Sequence, residues 1–387
     1  MKKVTKHVFY VGVNDHEIDL FEGHYIVPNG MAYNSYVILG DKTVVMDSVG
    51  ENFFDEWNNN IKEVLGNKAP DYIVVQHMEP DHSRNLKAFV EAYPDVTIVA
   101  SMQAFKMMGQ FFIGFEPKNK LVIKEGDTLS LGNLQLQFIA APMVHWPEVM
   151  FTYLKEDKVL FSADAFGKFG ALDIEDPEGW ACEARRYYFG IVGKYGPQVQ
   201  AVLKKVSAFE IDVICPLHGP ILDEDLGYYL STYNTWSSYG VETEGVAIFY
   251  TSVYGNTKEA AYLLSEELKK RGCPKVVVCD LAREDMAECV EDAFRYGKIV
   301  LATTTYNMSI FPYMNEFITS LVERNYQKKV IGLIENGSWA PTAGKVMKER
   351  LEGLKDVTIL EPMVKILSAV SEKNKEEISL LADELMK

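Results

Sequence analysis

Within the stretch YIVVQHMEPDHSRNL (72–86), the six residues from His77 to His82 hold two histidines, a glutamate and an aspartate. Glu79 and Asp81 repel one another at neutral pH, and burying such groups without partners is costly. A cation would resolve both problems, because imidazole and carboxylate are the usual ligands of zinc and iron. The preceding YIVV reads as a strand, so the set stands where a strand ends. In extended backbone alternate side chains share a face. That directs His77, Glu79 and Asp81 to one side and leaves His82 to begin the next element.

Further donors follow other apolar, strand-like runs: His145 in APMVHWPE, Asp164 in LFSADAFG and His218 in VICPLHGP. Any one of these, taken singly, reads as a turn or surface residue. Seven such residues, four of them in one motif, read together as a metal site. Asp47, ending VVMD, reads as a partner that orients a ligand histidine.

A second constellation lies in FYTSVYGNTKEAA (249–261), a hydroxyl-rich loop between a strand and a helix. Thr251, Ser252, Asn256 and Thr257 can donate to a phosphate, Gly255 permits close backbone approach, and Val253 and Tyr254 complete the loop. The helix N-terminus adds free N–H groups and the positive end of the helix dipole. Neither GxxxxGK[ST] nor GxGxxG is present, so the P-loop and dinucleotide fingerprints fail. The later loops ATTTYNMSIFP and ENGSWAP bring Thr303, Thr304, Thr305, Asn307, Asn336 and Gly337, with Tyr306 and Trp339 suited to flanking a planar ring. In a doubly wound sheet such loops gather at the carboxyl ends of the strands, where ligands bind.

The elements that must position these residues divide the chain. From the N-terminus to 243, β-rich runs with turn punctuation dominate, including a hairpin signal at Gly40-Asp41, and helical segments near 52–65 and 198–209 lie between them. YNTWSSYGVETEG (233–245) is polar and reads as a linker. After it, strand and helix alternate strictly: VAIFYTS, a helix in NTKEAAYLLSEELKKRG ending at Gly272, then KVVVCD, KIVLATTT and KVIGLIENG, the apolar runs of buried parallel strands. The expectation is an α/β protein with domains at 1–243 and 244–387.

With 387 residues, 48% of them hydrophobic, the chain has material for more than one core. Its net charge of −16 argues against nucleic acid or an anionic membrane as the main partner. The five cysteines (Cys182, Cys215, Cys273, Cys279 and Cys289) form no CxxC pair, so neither a disulfide framework nor a four-cysteine metal site is indicated. Scattered thiols and the lack of a signal-like or 18-residue apolar run fit a cytoplasmic protein.

The second half resembles flavodoxin, whose hydroxyl-bearing T-x-x-x-G-x-T loop holds the FMN phosphate. The first half, with H-x-E-x-D-H followed by His145, Asp164 and His218, resembles the metallo-β-lactamase superfamily, in which the motif usually runs H-x-H-x-D-H. Glu79 in place of the second histidine adds a hard carboxylate, which suits iron better than zinc. The two halves together, from GMAYNSYV onward, resemble the flavodiiron proteins. That resemblance implies an αββα sandwich followed by a doubly wound flavodoxin-like sheet. It implies His77, Glu79, His145 and Asp164 on one iron, with Asp81, His218 and the bridging Asp164 on the second and His82 as a further ligand. His24 and Tyr195 would line the substrate pocket. The implied activity is reduction of O2 to water or of NO to N2O, with electrons passed through FMN. The implied donor is a separate protein such as rubredoxin, or a reduced deazaflavin, and the implied assembly is a head-to-tail homodimer or a dimer of such dimers. The alternative is a dinuclear zinc hydrolase with a fused flavodoxin module; a flavin-binding protein on a degenerate scaffold is a more distant one.

Overall fold

The computed structural model describes residues 2–66 and 68–387, which divide into two compact units, one ending at Tyr233 and the other spanning Asn234–Lys387. The helix Leu226–Ser237 runs across that division. The start of the segment read as a linker, up to Ser237, is therefore helical, and Thr243 already begins a strand. Its aromatic residues explain the difference: Tyr233 and Trp236 stand three apart on the helix, Tyr239 follows at the same spacing, and all three are buried.

The first unit is built on two mixed sheets. One runs Val8–Tyr10, Tyr36–Leu39, Thr43–Met46, Tyr72–Val75, Thr97–Ser101 and Lys120–Ile123; the other runs Thr128–Ser130, Gln135–Ala140, Met150–Leu154, Val159–Phe161 and Val213–Cys215. The Gly40-Asp41 turn joins an antiparallel pair in register Leu39↔Thr43 and Tyr36↔Met46. One apolar cluster takes Tyr36, Ile38, Val44, Met46, Val74 and Val99 from the first sheet and Leu136, Phe138, Leu154, Val159 and Phe161 from the second, so the two sheets face each other. Thr43–Met46 and Met150–Leu154 are buried at every residue, which requires cover on their outer faces as well. Strand-to-helix and strand-to-loop turns at the ends of Tyr72–Val75, Gln135–Ala140, Val159–Phe161 and Val213–Cys215 carry the candidate donors found in the sequence.

In the second unit the sheet order is Val276–Asp280, Thr243–Tyr250, Tyr296–Tyr306, Lys329–Asn336 and Val357–Ile359, with every pair parallel. Counted in chain order this is 2-1-3-4-5, the flavodoxin-like winding. Val364–Ile366 adds a further parallel pairing to Lys329–Asn336. The helices Asn256–Lys270 and Glu372–Leu385 bury Leu264, Leu268, Ile378 and Leu381 against Ile248, Val300 and Ile334. No helix of the described residues is long and apolar enough to cross a membrane.

Candidate metal centre

The backbone after Val75 does not stay extended. Pro80 begins a short helix, Pro80–Ser83, and this turn redirects the side chains that follow it. Asp81 therefore leaves the side shared by His77 and Glu79. His77 and Glu79 meet His145 and Asp164, whereas Asp81 and His82 meet His218. Sequence alternation alone had placed Asp81 with the first group.

The ligand atoms converge tightly. His77 Nε2 lies 3.1 Å from Glu79 Oε2 and 3.3 Å from His145 Nε2, which is 3.0 Å from the same Glu79 oxygen. In the second group His82 Nε2 lies 3.0 Å from His218 Nε2, and both nitrogens lie 3.3 Å from Asp81 Oδ2. Asp164 joins the groups: its Oδ2 is 3.3 Å from His77 and 3.0 Å from His145, and its Oδ1 is 3.3 Å from His82. Its two oxygens thus face two different sets of imidazoles. Despite this crowding, both oxygens of Asp164 and of Asp81 are buried and accept no hydrogen bond of good geometry. Buried acceptors without donors are rare. Lone pairs aimed at common points, with donor spacings near 3 Å, are what a pair of metal ions would require of these residues.

Hydrogen bonds behind the cluster fix which nitrogen faces inward. His77 Nδ1 donates to Glu148 Oε1 at 2.8 Å, and the Met78 N–H donates to the same oxygen at 2.8 Å. His218 Nδ1 donates to the Ala32 carbonyl at 2.7 Å. Each bond turns an Nε2 lone pair into the cluster, as metal sites require. Asp47 works differently from expectation. Its carboxylate accepts the backbone N–H of Gln76 at 2.7 Å and of His77 at 3.3 Å, so it braces the strand end and touches no imidazole ring. Burial pushes its carboxyl up to about 6, against the opposing pull of His82 and the Gln76 bond.

The electrostatics have one sense. Burial disfavours charge on His145, yet Asp164 and Glu79 raise it from 6.5 to about 9. His77 is raised for the same reasons, with burial opposed chiefly by Asp164. Burial likewise works against ionisation of Asp164, but His77 and His145 hold it well below the usual carboxylate range. The pocket is built for positive charge at its centre, which protons supply when metal does not.

Two residues that touch this centre were not singled out in the sequence. Glu148 stands three residues after His145 in HWPE, and only the tertiary contact with His77 reveals its role. Glu22, in LFEGHY, lies near enough to the cluster that burial together with the Glu79 charge pushes its carboxyl up to about 7, although the side chain keeps solvent access. Its backbone is left-handed, at φ +51°. The expected pocket residue of this loop, His24, is exposed and packs its ring on Tyr25, with centroids 4.7 Å apart. Tyr195 is half-buried just before the helix Gly196–Val206.

In the second unit Val253, Tyr254, Thr304, Thr305, Tyr306, Asn307, Gly337 and Trp339 line one cleft of about 440 Å³, with Met308 and Ser338 as additional lining residues. Tyr254 and Trp339 are 94% and 79% exposed, an unusual state for large aromatics unless they receive a ligand. Gly255, at φ +100°, turns the chain into the helix Asn256–Lys270, where Thr257 is buried. Ser252 Oγ accepts the Gly255 N–H at 3.0 Å. Thr251 and Thr303 hydrogen-bond each other at 2.7 Å beneath the loops, and Thr305 accepts the N–H groups of Thr342 and Ala343. The Asn336 amide is engaged with the backbone of Ser368 through both its ends, so it shapes the loop more than it offers groups to a ligand. Exposed aromatics beside a helix N-terminus fit a planar ring carrying a phosphate.

Comparison with known proteins agrees with both halves. Residues 31–219 match the ODP family beta lactamase model and residues 247–361 match a flavodoxin domain. The chain is 30% identical to the flavo-diiron protein FprA2 of Clostridium acetobutylicum, with 91% of each chain covered. It is 29% identical to a nitric oxide reductase of Moorella thermoacetica, over 93% of this chain and 91% of that one. Among solved structures, rubredoxin oxygen:oxidoreductase from Desulfovibrio gigas superposes with a TM-score of 0.91 at 27% identity, covering 99% of this chain and 97% of that one. A beta-lactamase-type scaffold continued by a flavodoxin, alike almost from end to end to a flavo-diiron protein, makes this chain a member of the flavodiiron family of oxidoreductases.

Proposed function

We propose that the protein reduces O2 to water, NO to N2O, or both, at a dinuclear iron centre recharged through FMN. The observation that carries this reading is Asp164, whose two oxygens face separate His/carboxylate sets. Three carboxylates among seven donors favour iron over zinc, which prefers nitrogen and sulfur. When bound, the iron pair supplies electrons and Lewis acidity to a diatomic oxidant, and FMN replenishes those electrons singly or in pairs.

The chain's own groups do the rest. His77, Glu79, His145 and Asp164 hold one ion; Asp81, His82, His218 and Asp164 hold the other. Glu148 and the Ala32 carbonyl lock His77 and His218 with Nε2 inward, so neither of these two imidazoles has to reorient during turnover. Burial of His77, His82, Asp164 and His218 limits water at the centre. Glu22, with its carboxyl near 7, can hold a proton at the edge of the site, where reduction of O2 or NO consumes protons. His24 and Tyr195 belong to the substrate pocket in this reading. Thr251–Thr257 carry the FMN phosphate, and Thr303–Asn307 with Gly337 and Trp339 carry the ring side, on a loop that Asn336 shapes.

Residues 1–243 then act as the diiron module and 244–387 as the FMN module of a cytoplasmic enzyme. A head-to-tail homodimer, or a dimer of dimers, would bring the FMN of one chain to the metals of its partner. The donor is rubredoxin or a reduced deazaflavin; the name of the Desulfovibrio gigas relative supports the first. The test is anaerobic mixing of fully reduced protein with O2 or NO. Water without accumulated peroxide, or N2O, supports the reading; hydrolytic activity with neither gas consumed would refute it.

A further inference from the structure

In the second unit, Cys279 lies on the edge strand Val276–Asp280, Cys289 on the helix Met286–Arg295, and Glu284 in the connection between them. The two sulfur atoms and a Glu284 carboxylate oxygen lie within 4.8 Å of one another. Both cysteines are free and buried, while Glu284 is exposed. The cluster thus joins two soft donors beneath the surface to one hard donor facing solvent.

The connection that holds them is firmly built. The Asp280 carbonyl accepts the N–H groups of Arg283 at 2.9 Å and Glu284 at 3.0 Å, and Glu284 Oε1 accepts the Asp280 N–H at 2.9 Å. Asp285 caps the helix by accepting the Ala287 N–H at 2.6 Å. Only one Glu284 oxygen is engaged in this way, which leaves the other free to bind. The Asp280 carboxylate, by contrast, is occupied by Arg283 at 2.7 Å and by the Ala282 N–H at 3.1 Å. A hydrogen bond to Cys289, burial, and the negative charges of Glu284 and Asp292 push the Cys279 thiol up. The negative charges of Glu284 and Asp292 in these surroundings would attract a cation, whose binding requires loss of the S–H protons.

We propose that Cys279, Cys289 and Glu284 form a binding site for a thiophilic divalent cation of the zinc and cadmium class, with water as the fourth ligand. Two thiolates and a carboxylate are a donor set that such ions accept in tetrahedral geometry. Binding releases both S–H protons to solvent, and no electron moves. Neither the metal centre of the first unit nor the aromatic cleft uses these residues. Because Cys279 pairs with Phe249 and Asp280 with Tyr250, a bound ion would pin the edge strand beside the strand that leads into the Thr251 loop.

The test is anaerobic titration of the iron- and FMN-loaded protein, thiols reduced, with cadmium chloride. The expected result is a near-ultraviolet thiolate-to-cadmium charge-transfer band that saturates at one ion per chain. The His/carboxylate centre has no sulfur and cannot produce it. C279S and C289S should each abolish the band, E284Q should weaken binding on the order of tenfold, and a chain lacking Cys182, Cys215 and Cys273 should retain it. Retained flavin content reports that each variant is folded. Should a buried serine disturb the fold, E284K alters only the exposed residue and should abolish binding. No band in the parent protein, a band that survives C279S and C289S, or undiminished binding by E284K would overturn the proposal.

Discussion

The metal centre and the aromatic cleft solve opposite problems. At the metal centre His77, His82, Asp164 and His218 are fully buried, and bonds from Glu148, Ala32 and Asp47 fix the cluster's geometry. In the cleft, Tyr254 and Trp339 project into solvent and the fixed hydrogen bonds lie underneath, between Thr251 and Thr303 and around Thr305. An ion tolerates little displacement of its ligands, so the protein invests in rigidity around it. A flavin ring presents a broad flat surface, and side chains can close on it after binding. Losses at the first site should therefore be large and shared among residues, and losses at the second small and local.

The largest effect is expected for Asp164→Ala, which removes a ligand common to both halves of the cluster. Metal content should fall by about two orders of magnitude in affinity or more, the upper end of what supporting residues alone cause, as read by metal analysis after dialysis. Glu148→Ala touches no metal, yet it frees the His77 ring. It should cost roughly 10–100-fold in metal affinity while leaving flavin content intact. Equal loss of metal and flavin in that variant would show that the two regions are not as separate as their construction suggests.

A pH series sharpens the comparison further. In metal-free protein the His145 value is raised from 6.5 to about 9, so its contribution to stability is full below 6.5 and is lost as pH rises through about 9. Thermal denaturation of the metal-free protein should show a fall of roughly 5 °C across that window. Metal-loaded protein should show no such fall, because the ions and not protons then balance Glu79 and Asp164. The smallest effect belongs to the cleft: Trp339→Ala should weaken FMN binding about two- to tenfold, the value of one aromatic contact, measured by flavin fluorescence on release.

The same contrast governs what the sequence could reveal. The seven side chains that the structure brings together were legible because His, Asp and Glu are types that are rarely placed in a core without partners. The alternation of strand and helix after residue 243 made the flavodoxin-like winding legible, since buried parallel strands have a distinctive apolar composition. The partition of Asp81 away from Glu79, which the family resemblance implied, was not legible in strand alternation, because it depends on the turn that Pro80 starts. Nor were Glu148 and Glu22, single glutamates that acquire meaning only through contacts with His77 and Glu79. The segment 233–245 misled because its polar residues masked three buried aromatics at helical spacing.

Metal and flavin analysis of protein purified without oxygen bears most directly on the central claim. A dinuclear iron centre fed by FMN requires about two irons and about one FMN per chain. Two zinc ions with little iron, reproduced after growth in iron-rich medium, would contradict the redox assignment and favour a hydrolytic centre.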